Sequence, residues 1–351
     1  MTEPTQVFSP QVLKAAFADG VYVFCPEKIP THNAGCLIEG LLAMGIPVKT
    51  NAERITSREA SMPLKGIDLA SLRAPMFDGM AAYLLDITHT NHYAEVSGLR
   101  GKRVAYLTTA DTSLFCKVPD DVLLFSTHES ALARMSGRRA AIGFGLSAAA
   151  IAATAVAKPF AERKRAALRN FRATLSQSVR AMLDLAFVPA LEARMTIDRT
   201  DYDAAAYVQA LCESQVCLAY GGDFFAALQT NLYLAKSQPQ VYANHKFQDL
   251  KAPAVVMRWD SWRFWESLAA GCLTVQLDFD KYGFKLPVMP EPWVHYVPLD
   301  LGNLNGSLEQ MFDREKEWPE IAARGRTWAL DHYAPAPTAA YMLGEILAAY
   351  P

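Results

Sequence analysis

The stretch Trp259–Val275, WDSWRFWESLAAGCLTV, sets three tryptophans, Asp260, Ser261, Arg263 and Glu266 ahead of a small-residue, apolar tail. Asp260 or Ser261 suits a helix N-cap, because a short oxygen-bearing side chain can accept from the first-turn amides. Arg263 and Glu266, three apart, share one helical face, and Trp262, Trp265 and Ala269 share another that would pack inward. Gly271 can close the helix in the left-handed region before a strand, LTVQLD (273–278). The stretch therefore reads as the helix and second strand of a βα unit. A helix opening on a cleft points backbone N–H groups and a positive dipole end at its ligand, which suits phosphate. Arg263 would add a charged fork there, and Glu266, one turn deeper, could accept from paired sugar hydroxyls. An Arg/Glu surface pair on an ordinary βα unit gives the same pattern.

Outward from this unit, short β-rich runs alternate with helical patterns, the signature of parallel sheets. The first half offers VYVFC (21–25), IPVKT (46–50), AAYLLDI (81–87), RVAYLTT (103–109), DVLLFS (121–126) and AAIGFG (140–145). Between the first two lies THNAGCLIEGLLAMG, with Leu37, Leu41 and Leu42 at helical spacing and Gly45 as its stop. After the charged, proline-marked KPFAERKRA a second set follows: ALRNF (167–171), VCLAY (216–220), QVYAN (240–244), AVVMRW (254–259), LTVQLD and HYVPL (295–299). The expectation is two α/β domains in series, residues 1–157 and 158–335, with residues 336–351 as a helix that could pack back on the first.

At 351 residues the chain is long for one core, since single cores stop growing at about 250–300 residues. Its composition is 51% hydrophobic and 20% charged, which belongs to a globular interior rather than to disorder. A net charge of −2 gives no electrostatic case for wrapping nucleic acid, so no nucleic-acid partner is expected. Six cysteines fall in no C-x-x-C pair and near no histidine pattern, so neither zinc nor a disulfide framework is indicated. No signal peptide or membrane span is read, and the expectation is a cytoplasmic protein.

Three pieces in order, SWRFWESLAAGCLTVQLD (261–278), PWVHYVPLDLGNL (292–304) and AARGRTWALDHYAP (322–335), resemble the donor-binding half of GT-B glycosyltransferases. The exostosin and CAP10-like (protein O-glucosyltransferase-related) groups are the most similar, and the resemblance covers residues 258–335. It implies an α/β GT-B architecture, two Rossmann-like domains facing a central cleft, with a nucleotide-diphosphate sugar bound without metal or other cofactor. By the same resemblance Ser261 and Arg263 would hold the diphosphate, Glu266 would sit near ribose or sugar, and His295 falls on the family strand. The chain departs from the pattern at Arg258, where many retaining members carry the first Glu of Glu-x7-Glu, and at GCLTV, which lacks the usual proline. Both departures weigh toward inversion.

A second anion site is read in NFRATLSQSVR (170–180), where a strand turns into a helix capped by Thr174 or Ser176 and Arg172 could reach a phosphate. Lys246 in ANHKF (243–247) is a further nucleotide contact; capping turns and exposed loops are the plainer readings. In the first domain, strand ends are where open α/β sheets place ligands. The loops there carry His32 and Asn33, then Asp86, His89 and His92, then His128 and Glu129, so four of the seven histidines lie at one end of one sheet. An inverting transfer needs a base within reach of the acceptor hydroxyl; His32, Asp86 and His89 are the candidates in that order. Two histidines in HTNH without a carboxylate cluster do not make a metal site.

The motif IGFGLSAA (142–149) matches G-x-G-x-x-A, but the next strand lacks the acid that a dinucleotide site wants. The reading is thus transfer of a sugar from a nucleotide-diphosphate donor, UDP-sugar favoured, to a hydroxyl acceptor on a glycan, lipid-linked saccharide or protein. A sugar-nucleotide epimerase, an NAD-dependent oxidoreductase and a non-catalytic nucleotide-sugar-binding protein remain as alternatives.

Overall fold

The computed structural model describes residues 8–26, 32–53, 67–75, 78–88, 99, 102–111, 116, 118–132, 137–172, 178–226 and 254–351. The N-lobe runs α1 (Pro10–Ala16), β1 (Val21–Phe24), α2 (His32–Ala43), β2 (Val48–Thr50), α3 (Leu69–Leu72), β3 (Ala82–Asp86), β4 (Val104–Thr108), β5 (Leu123–Ser126) and β6 (Arg138–Ala141). The C-lobe begins with α4 (Ala148–Thr154), β7 (Lys164–Leu168), α5 (Ser178–Ala186), α6 (Val188–Glu192), β8 (Thr196–Asp198), α7 (Ala204–Glu213) and β9 (Ser214–Leu218). It continues through β10 (Asp223–Ala226), β11 (Ala254–Met257), α8 (Trp262–Ala269), β12 (Leu273–Leu277), β13 (Val297–Leu299), α9 (Leu304–Asp313) and α10 (Trp318–Tyr333). A last helix, α11 (Pro335–Ala349), follows.

The N-lobe strands form one parallel sheet in the order β2-β1-β3-β4-β5-β6, and the C-lobe strands another in the order β13-β12-β9-β7-β8. Strands β3, β4 and β12 are buried along their whole length. Strands covered by helices on both faces need such continuous apolar runs, which is why they show no alternation. In each lobe the strand order reverses beside the first strand of its sheet, between β1 and β3 and between β7 and β9. At such a reversal the flanking loops part and leave a crevice at the strands' carboxyl ends.

The chain crosses between lobes at residues 142–147, and Gly143 is the close point. A Cβ there would lie 2.3 Å from Cζ2 of Trp265 on α8. The glycines of IGFGLS thus let the crossover pack against the C-lobe rather than cradle a pyrophosphate. The chain crosses back after Tyr333: Met342, Leu343 and Ile346 of α11 are buried in the N-lobe core with Ile38, Leu41 and Leu84. No helix among the described residues is long and apolar enough to cross a membrane.

Several local expectations need correction. The strand read as ALRNF ends at Leu168, because Ala166–Leu168 carry the buried surface and Arg169 leaves the sheet to pair with Asp184 on α5. AVVMRW is not a member of the main sheet; β11 pairs antiparallel with β10 and ends where Arg258 adopts φ +53°. The HYVPL strand begins only at Val297. His32 and Asn33 are not in a loop: both are buried in the first turn of α2, tied down by Asn33 Nδ2 donating to Gly143 O at 2.9 Å. QVYAN, Lys246, His89, His92, Thr174 and Ser176 lie outside the described residues.

Candidate functional site

A cleft of about 270 Å³ opens where the C-lobe sheet reverses, lined by Asp111 of the N-lobe, Phe144 of the crossover, and Arg172, Arg180, Gly222, Asp223, Arg258, Asp260, Ser261, Trp262 and Arg263 of the C-lobe. Four guanidinium groups therefore share one wall. Arg172 comes from the loop after β7, Arg180 from the first turns of α5, and Arg263 from the first turn of α8. Gly222, at φ +121°, brings the loop after β9 close to β11; a Cβ there would sit 2.8 Å from Val256 Cγ1.

Helix α8 presents its N-terminus to this wall. Ser261 is the N-cap in extended geometry, and its side chain makes no capping bond to the first turn. Its Oγ instead accepts from Arg180 Nη2 at 3.4 Å, while Arg180 Nε donates to Tyr220 O at 3.1 Å. Arg263 Nε donates to Asn170 O, which joins α8 to the loop after β7. Gly271 closes the helix at φ +68° as its position requires. Trp265 and Ala269 pack inward, whereas Trp262 is only half-buried, stacked on Phe144 at 4.1 Å between centroids.

Two of the cleft carboxylates hold Arg258. Its Nη2 lies 2.7 Å from Asp111 Oδ2 and its Nη1 2.8 Å from Asp223 Oδ2. Asp111–Arg258 is, among the described residues, the one side-chain ion pair that joins the lobes. Burial pulls the Arg258 pKa down, and the two carboxylates more than offset it, so the guanidinium stays charged. Asp223 also accepts from the Ser178 amide at 2.8 Å, so the N-terminus of α5 is already capped. Burial outweighs these bonds and raises the Asp223 pKa.

The third carboxylate, Asp260, fastens the lobes. Its Oδ2 accepts from the Phe144 amide and its Oδ1 from Trp265 Nε1, both at 2.8 Å, and its own amide donates to His128 Nδ1 at 3.2 Å. Burial pushes its pKa up to about 7 despite those bonds. His128, at φ +61° after β5, is driven down to about 4, first by burial and then by Arg258 against the opposing pull of Asp111. The amide bond to Nδ1 fixes the neutral tautomer with its proton on Nε2. Glu129 beside it is buried in an ion pair with Arg139 at 2.6 Å.

The structure thus brings Arg172, Ser261 and Arg263 together. Glu266 lies one turn along α8, half-buried and away from the cleft lining. His32 is buried with Nε2 3.2 Å from Cys36 Sγ and its ring edge-on to Trp262, and Asp86 is buried at the end of β3, accepting from the Thr88 amide at 2.9 Å. Neither lines the cleft. His295 accepts from the Glu291 amide through Nδ1 at 2.8 Å and stacks on Trp328. Sequence reasoning missed Arg180, Arg258 and Asp111. Of these Asp111 carried a readable signal, since it follows strand RVAYLTT at the same sheet end as the histidines. Among the described residues no group of three or more His, Cys, Asp or Glu is placed to hold a metal ion.

No family model matches the chain, and no curated protein does. Solved structures do. An alpha-glucosyltransferase in complex with UDP-glucose and DNA containing an abasic site superposes with TM-score 0.50 at 9% identity, over 89% of this chain and 94% of that one. An alpha-glucosyltransferase in complex with UDP gives 0.50 at 10% identity, over 89% and 95%. One in complex with UDP and a 13-mer DNA containing a central A:G mismatch gives 0.51 at 10% identity, again over 89% and 95%. The two-lobed architecture is the GT-B fold. The expectation of no nucleic-acid partner is overturned, because two of these structurally similar proteins were solved on DNA. A net value near zero says nothing of where the charges lie, so it does not by itself exclude such a partner.

Proposed function

We propose that the protein is a glycosyltransferase moving a sugar from a nucleotide-diphosphate sugar, a UDP-sugar first, to a hydroxyl acceptor. The observation that carries this reading is the convergence of Arg172, Arg180 and Arg263 with the N-terminus of α8 at the reversal of the C-lobe sheet. Guanidinium forks and helix amides match a diphosphate and stabilise it as it leaves. They supply that positive charge from the protein itself, which supports metal-independent transfer. UDP in the structurally similar proteins supports the choice of nucleotide.

Within the GT-B enzymes the exostosin and CAP10-like groups are our finer assignment, carried by the three C-terminal motifs. The acceptor classes are a glycan, a lipid-linked saccharide, a protein or a nucleic acid, the last on the strength of the DNA-bound structures. An NAD-dependent reading loses its motif, since the glycine at 143 is filled by Trp265.

A thermal-shift panel of UDP, GDP, CMP, their sugars and NAD tests the proposal. UDP and UDP-glucose should raise the melting temperature and NAD should not. Stabilisation by NAD alone, or by none of the nucleotides, would refute it. Slow UDP release from a bound UDP-sugar separates an enzyme from a binding protein that has lost turnover.

A further inference from the structure

Transfer to a hydroxyl needs a group on the acceptor side that takes the proton, and among the described residues the N-lobe contributes Asp111 to the cleft and the crossover contributes Phe144. Of these only Asp111 carries a side chain able to accept a proton. We propose that Asp111 is the general base of the reaction, an inference that rests on the transferase reading above.

Three features place it. It follows β4 at the carboxyl edge of the N-lobe sheet and lines the same cleft as Arg172, Arg180 and Arg263. Its Oδ2 is held by Arg258 Nη2 at 2.7 Å, and Arg258 is itself anchored by Asp223, so the carboxylate is aimed rather than loose. Its Oδ1 has no hydrogen-bond partner among the described residues, and the side chain is 58% exposed, so a proton received there can pass to water. His32 and Asp86, being buried and off the cleft, have neither access.

The step balances as follows. The acceptor hydroxyl gives its proton to Asp111 Oδ1 while its oxygen bonds to the anomeric carbon. The bond from that carbon to the β-phosphate oxygen breaks, and its electron pair leaves with UDP toward Arg172, Arg180 and Arg263. Asp111 then returns the proton to solvent. A single direct displacement of this kind inverts the anomeric centre.

The test uses the full chain with UDP-glucose as donor and water as acceptor. Calorimetry gives affinity, UDP release gives rate, and NMR gives the anomer of the released glucose. Asp111→Asn should bind UDP-glucose within about threefold of wild type yet release UDP about 100-fold or more slowly, the usual weight of a general base. Asp111→Glu should recover part of the rate. The assignment alone falls if the wild type binds and turns over UDP-glucose and Asp111→Asn does so at an unchanged rate. It falls likewise if that variant loses binding in step with turnover, or if the anomer is retained. Failure of the wild type to bind UDP-glucose, or to turn over what it binds, removes the transferase reading and the assignment with it.

Discussion

Asp260 and His128 touch through a single amide hydrogen bond, yet burial moves their protonation in opposite senses for stability. A carboxyl raised from 3.8 to about 7 contributes stability that is complete below its unfolded value and is lost as pH rises toward 7. A histidine lowered from 6.5 to about 4 contributes stability that is complete above 6.5 and is lost as pH falls toward 4. Their slopes oppose each other between these limits. Asn tolerates the left-handed backbone and can accept the Asp260 amide as the imidazole does. In His128→Asn, urea unfolding at stepped pH should therefore show stability falling from pH 4 to 7 more steeply than in wild type. Asp260→Asn should tilt the other way. At the arginine wall, a hydrogen bond to a charged group is worth about 1.5–3 kcal/mol, so Arg263→Ala should weaken UDP binding about 10- to 150-fold by calorimetry. Much of this residue detail was open to sequence reasoning, since cap chemistry and strand ends pointed to Ser261, Arg263 and Arg172. Arg258 and Arg180 were not, because they meet their partners only through tertiary contacts. His32 reads as a loop residue in the sequence, but the fold buries it in the first turn of α2 with its ring edge-on to Trp262.

Among elements, α8 was the most legible: amphipathic spacing, an N-cap and a closing glycine all agreed, and the structure places it over 262–269. Gly271→Ala meets nothing nearer than 3.5 Å, so only the left-handed backbone resists it. A loss of about 1–2 kcal/mol is expected in denaturant titrations. Gly143→Ala is different, since the new methyl group would overlap the Trp265 ring, which is stacked against Trp328 and cannot swing aside cheaply. It should cost more than Gly271→Ala in the same experiment, and should loosen the junction of the lobes. Strands β8 and β10 escaped the sequence because three or four residues at a sheet edge or in a two-stranded sheet carry too little pattern. The end of β7 was misplaced because Arg169 and Phe171 look extended until Asp184 draws the arginine away.

Across the whole molecule, the two lobes share a strand order and set their crevices toward one cleft, and the C-terminal helix closes the N-lobe core rather than the C-lobe to which its neighbours belong. Gly40 permits this contact, since a Cβ there would lie 2.1 Å from Pro335 O. The arrangement reverses the usual timetable of synthesis, in which the first domain made is the first to fold. On the ribosome the N-lobe emerges early but lacks Met342, Leu343 and Ile346 until α11 is made. The C-lobe, whose strands end by Leu299 and whose packing helix ends at Tyr333, is complete sooner. A chain truncated after Ala334 should keep the C-lobe strands β7, β9 and β12 protected from protease while the N-lobe strands are digested. The lobe made first thus becomes native after the lobe made second, and its sheet must be shielded from neighbouring chains until α11 has been made.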